Sequence, residues 1–155
     1  LTMLIGIPDL LGPEFLATLR AMGHGDELAI VDANYPAVAH GHRVLRADGH
    51  SLIDVIDAVL AVLPVDDAVP QALFRAAPAG DAEALDPVHV EIVAACQRRA
   101  PGREVVALAG QAFYDRVRSA FAVVATGERR LYANFIVRKG VIHPGRVPDN
   151  DHLLR

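Results

Sequence analysis

Two periods of apolar spacing alternate along this chain. Short runs with strand character recur at 27–33 (ELAIVDA), 43–47, 71–76, 104–109, 120–125 and 131–137. Each is bounded by turn-forming residues such as Asn34-Tyr35-Pro36, Asp48-Gly49 or Thr126-Gly127-Glu128, the punctuation expected of strands. Between them the spacing turns helical. Phe15, Leu16 and Leu19 share one face of a segment that Gly12-Pro13 opens and Gly23 closes, with Glu14 suited to the positive helix end. Ser51, with Asp54 three residues on, caps an apolar helix through Leu63 that Pro64 stops. Asp86-Pro87 starts another that runs to about Arg99, and a further helix spans Gln111 to Ser119.

Strands that alternate with helices predict an α/β fold, a three-layer α/β/α sandwich with a mixed, mostly parallel sheet. The final two strands, joined by a short turn, are expected to add an antiparallel member. The pattern predicts a single domain over 1–155, with a core at about 4–142 and a peripheral Pro- and Gly-bearing tail from His143. Leu1-Thr2 ahead of Met3 reads as an extension.

Composition narrows the function classes. The net charge is -4, so there is no basic excess to neutralise nucleic-acid or membrane phosphates. Cys96 is the only cysteine and cannot form an internal disulfide, which favours a cytoplasmic setting. No apolar run approaches a membrane-spanning length, and the N-terminus lacks a signal peptide's basic start. The aromatic share is 5% against 52% hydrophobic, so Ala, Val and Leu must build the interior.

Candidate chemistry concentrates in two stretches. In MGHGDELAIVDANYP, His24 lies between Gly23 and Gly25, and Asp32 closes the following strand. An imidazole with a pKa near neutrality suits proton transfer, but a histidine past a helix end can also complement the helix dipole. In LYANFIV, Tyr132 and Asn134 are two apart and would share one strand face. There they could clamp a hydroxyl-rich molecule or satisfy backbone groups. His40 and His42 have strand-like spacing without a third ligand at a diagnostic distance, and the reading assigns no metal site.

The segments MGHGDE, VDANYPA, VLRADG, ALDP, AFYDR, FAVVATGE and LYANFIVRKGV, taken in that order, resemble the L-fucose mutarotase and D-ribose pyranase family, the fucose branch more closely. The resemblance spans residues 4–142. It implies interconversion of sugar anomers or ring forms without metal or cofactor, in ring-shaped decamers. It places the catalytic histidine on His24, substrate contacts on Asp32, Tyr132 and Asn134, and a possible proton relay on Tyr132. Two departures stand out. Asn34 replaces a histidine of the fucose pattern, and Gly110-Gln111 stand where that pattern has a substrate-binding arginine. Gln111 is then the candidate to supply an amide to the same hydroxyl. One further expectation is geometric. Eight residues separate His24 from Asp32, on the order of 20 Å if extended, so one sugar can meet both only across a subunit boundary or through a folded-back loop.

Overall fold

The computed structural model describes residues 3–145. Leu1, Thr2 and the residues from 146 onward lie outside the described residues. Six strands form one sheet: β1 (Glu27–Val31), β2 (Val44–Ala47), β3 (Leu73–Ala76), β4 (Val105–Leu108), β5 (Ala122–Thr126) and β6 (Phe135–Arg138). Their order is β2-β5-β1-β6-β3-β4. All neighbouring pairs are parallel except the two that β6 makes, antiparallel to β1 and β3.

The expected antiparallel strand is therefore present, but it is inserted in mid-sheet rather than beside β5. Its register sets Ile30 opposite Phe135 and Glu27 opposite Arg138. The two ends of β1 thus face the two ends of β6.

Helices cover both faces. α1 (Pro13–Ala21), α3 (Leu52–Leu60) and α4 (Pro87–Arg99) pack on the face formed by Leu28, Ile30, Leu73, Val124, Phe135 and Val137. The one-turn α2 (Ala37–His40) and α5 (Gln111–Ser119) pack on the face formed by Ala29, Val31, Phe74, Val123 and Ile136. This is the three-layer sandwich. β1 is buried along its whole length, which explains why it reads as a continuous apolar run rather than an alternating one.

Several boundaries differ from the sequence reading for local reasons. Ser51 Oγ accepts the Asp54 N–H at 3.2 Å, as its position predicts, but α3 ends at Leu60 and the chain leaves through a turn to Leu63. Helix α1 ends because Met22 turns extended, with φ -64° and ψ 134°. It is Gly25, not Gly23, that takes the left-handed conformation, at φ 86°. No described helix is long and apolar enough to cross a membrane.

Candidate functional site

The candidate residues gather at opposite ends of β1. The first group forms where α1 gives way to the strand. Gly25 donates its N–H to the Lys139 carbonyl at 2.8 Å, and an added Cβ there would come within 2.9 Å of the Arg138 guanidinium. The positive φ of Gly25 favours glycine, and a side chain there would also press on that guanidinium. The loop so fixed leaves the His24 side chain 46% exposed, with Nε2 3.0 Å from Asp66 Oδ1.

Asp66 is itself buried and accepts from Arg138 Nε at 2.7 Å and from the Ala68 N–H at 3.0 Å. Burial alone would raise its pKa. The bonds from Arg138, Ala68 and His24 outweigh that and hold the carboxyl at about 2. An ionised carboxylate only accepts, so Nε2 of His24 carries the proton and Nδ1 is left to exchange one. A histidine oriented by a buried carboxylate is a common arrangement for acid/base chemistry.

The second group lies at the other end of the strand. The sequence reading placed Tyr132 and Asn134 on one face of a single strand. In the structure β6 begins only at Phe135, and Tyr132 occupies a turn with φ 55°. The two side chains nevertheless border the same two adjoining hollows, of about 230 and 210 Å³. Ala76, Ala77, Gly110 and Phe113 help line the first. Asp32, Asn34, Tyr35 and Leu131 help line the second, and Tyr114 borders both.

Asn134 is nearly buried, and its Oδ1 accepts the Asp32 N–H at 2.8 Å. The backbone-satisfying role is real, and the same residue still faces the cavity. Asp32 accepts the Asn34 N–H at 2.9 Å. Burial raises its pKa, and bonds from the Asn34, Ala133, Tyr35 and Asn134 donors only partly offset this. The Thr126-Gly127-Glu128 turn locks this end: Ala33 N–H donates to the Glu128 carbonyl at 2.8 Å, and Thr126 Oγ1 to Val31 O at 2.7 Å.

The structure does not bring every candidate together. His24 lies at the far end of β1 from the Tyr132–Asn134 cavity, and a strand of five residues rising about 3.3 Å per step puts roughly 13 Å between its own ends. Gln111, expected to offer its amide to the sugar, turns along exposed α5 and donates to Asp115 Oδ1 at 2.8 Å. Gly110 is the residue that borders the cavity. Its φ is 52°, and nothing lies within 4 Å of an added Cβ. His40 and His42 bond different groups: the former Tyr35 Oη and the Arg118 guanidinium, the latter the Arg118 carbonyl.

A larger hollow of about 680 Å³ opens beside Gly25 and Glu27. Its guanidiniums are already engaged, Arg116 with Glu27, Arg138 with Asp66 and Arg43 with the Phe121 carbonyl.

Sequence reasoning missed Asp66, Tyr35 and Tyr114. Nothing in the PVDD segment marks Asp66 as His24's partner, because 42 residues separate them. Tyr35 and Tyr114 lay within quoted motifs but carried no spacing signal of their own. Their rings meet edge-on at 5.6 Å between centroids.

Comparison with known proteins shows the family. Residues 5–142 match the RbsD / FucU transport protein family. The chain belongs to that family. It is 41% identical over 143 residues to the fucose mutarotase of Homo sapiens, covering 88% of this chain and 93% of the relative. The fucose mutarotase of Streptococcus pneumoniae, solved with L-fucose, superposes with a TM-score of 0.78 at 33% identity, covering 90% of this chain and all of that one. Bacillus subtilis RbsD, solved with D-ribose, has a TM-score of 0.67 at 22% identity over 86% of this chain and 95% of its own, and shares the fold.

Proposed function

We propose that this family member is a monosaccharide mutarotase acting on an L-fucose-like sugar by acid/base opening and reclosure of the ring. The carrying observation is the division of labour along β1. A carboxylate-backed His24 stands at one end, and a small cavity bordered by Tyr132, Asn134 and Asp32 at the other. Likeness to the human and streptococcal fucose mutarotases supports the choice of sugar class.

In the reaction a base takes the proton of the anomeric hydroxyl while an acid protonates the ring oxygen. The bond between that oxygen and the anomeric carbon breaks, giving an open-chain aldehyde. Rotation and the reverse steps close the other anomer, with no net change in protons. Nδ1 of His24 is the proton-exchanging group. Tyr132 orients the sugar and relays a proton, and Asp32 and Asn134 hold hydroxyls. Positioned proton transfer contributes roughly 10²–10⁴-fold.

The separation of the two groups supports a composite site. His24 of one copy serves the cavity of a neighbour in a closed homo-oligomer, a decamer if the family resemblance extends to assembly. A cytoplasmic setting fits the lone Cys96, fully buried and with its thiol pushed up to about 12 by burial.

Magnetisation transfer between sugar anomers, followed by NMR across a sugar panel, tests the reading. The parent should accelerate anomer exchange, most strongly with L-fucose, and His24→Ala should lose about 10² of that acceleration. Sugar binding without faster exchange in the parent would make this a binder instead. Preferential action on ribose ring forms would move it to pyranase activity.

A further inference from the structure

A fully buried histidine lies behind the cavity, outside the chemistry assigned above. His89 sits in the first turn of α4, and both its ring nitrogens are bonded. Nδ1 accepts the Asp86 N–H at 3.2 Å, and Nε2 lies 2.8 Å from the Tyr132 carbonyl. A carbonyl cannot donate and a backbone N–H cannot accept. The geometry therefore requires one tautomer, neutral and protonated on Nε2.

Tyr132 and Ala79 are the only non-glycine residues with positive φ among the described residues, and both border the first hollow. Such a backbone persists only where its surroundings over-determine it.

We propose that His89 is a positioning residue for the sugar site: its neutral imidazole ties the Tyr132 carbonyl to the start of α4 and so fixes where the phenol and Asn134 stand. The proposal rests on the reading of that cavity as the sugar site. It predicts a pH dependence of the activity that originates at His89.

A proton added at Nδ1 would point at the Asp86 N–H, donor against donor, and the ring would have to leave its seat. Two charged groups face it. Arg75 on β3 opposes protonation and the Asp86 carboxylate favours it, while burial is the largest influence and lowers the pKa. Arg75 is held in place by bonds to the Ala76 and Ala82 carbonyls.

Glutamine can reproduce both bonds, accepting with its oxygen and donating with its nitrogen, and it does not titrate. The test is NMR anomer exchange on the parent, His89→Gln and His89→Leu, measured from pH 7 downward. His89→Gln should keep exchange within about threefold of the parent at pH 7. Its rate relative to the parent should then rise as the pH falls below about 6.5. His24 is common to both proteins, so any effect through it cancels in that ratio. His89→Leu should lose about tenfold or more at pH 7 with its circular dichroism unchanged.

A ratio that stays flat with pH would overturn the proposal, as would a folded Leu variant as fast as the parent. If the Leu variant does not fold, the pH dependence of the Gln-to-parent ratio still decides. Absence of exchange in the parent itself would instead sink the mutarotase reading.

Discussion

At the scale of single residues, the two carboxylates of the site have opposite electrostatic characters. Asp66 is held at about 2 by the donors around it, below the usual carboxylate value. Its ionised form stabilises the fold fully at neutral pH, and that contribution is lost as the pH falls from about 4 through about 2. The stability gap between the parent and Asp66→Asn, measured by denaturant melts, should therefore narrow over that window. The same variant should slow anomer exchange by about tenfold or more by releasing His24. A gap independent of pH would contradict the assigned ion pairing.

Asp32 has a raised pKa because burial dominates its environment. Its charge destabilises the fold above the unfolded-state value, and this cost disappears on acidification. Asp32→Asn should then match or exceed the parent's melting temperature at pH 7 while binding sugar more weakly, a trade expected at functional sites. A large loss of stability at pH 7 would contradict it.

At the scale of elements, the segment carrying Asp66 is pressed against the end of β6. Gly140 donates to the Pro64 carbonyl at 2.8 Å, and an added Cβ would stand 2.6 Å from the Asp66 Cα. Backbone cannot give way cheaply. Gly140→Ala should cost about 1–3 kcal/mol in chemical denaturation and reduce exchange together with stability. In the helix that leads into that segment, Ile56 of α3 is fully buried, and Ile56→Ala should cost about 2–5 kcal/mol without altering the exchange rate of the folded fraction.

The elements were largely legible in the sequence because each carries its own period and punctuation. β1 announces itself as five buried residues between a glycine loop and Asp32, and Ser51 caps α3 where its side chain says it should. Apart from the local boundary shifts, the failures share one cause. Tyr132 looks like a strand residue from LYANFIV, but its carbonyl is held by His89, 43 residues away in sequence. Likewise β6 is separated from β5 by β1 in the sheet, although the two are consecutive in the chain. Partners distant in the chain leave no trace in local spacing, and the pairing of His24 with Asp66 is of that kind.

At the scale of the whole molecule, the mixed sheet gives β1 two chemically different ends and keeps them apart. One chain holds the carboxylate-backed His24 imidazole at one end and the Tyr132–Asn134 cavity at the other, the two halves of the proposed site. A closed assembly can bring them together by setting one copy's loop over its neighbour's cavity, which makes activity depend on association. The rate per subunit should then fall on dilution once the assembly dissociates.

Mixing two defective variants tests that arrangement most directly. His24→Ala keeps the cavity and lacks the imidazole, whereas Asn134→Ala has the reverse defect. Each alone should give slow anomer exchange by NMR. Dissociated, mixed and reassembled, the pair should recover about a quarter of the parent rate, because that share of random interfaces unites two intact halves. A mixture no faster than its components, although size-exclusion chromatography shows mixed assemblies, would contradict a site shared between copies.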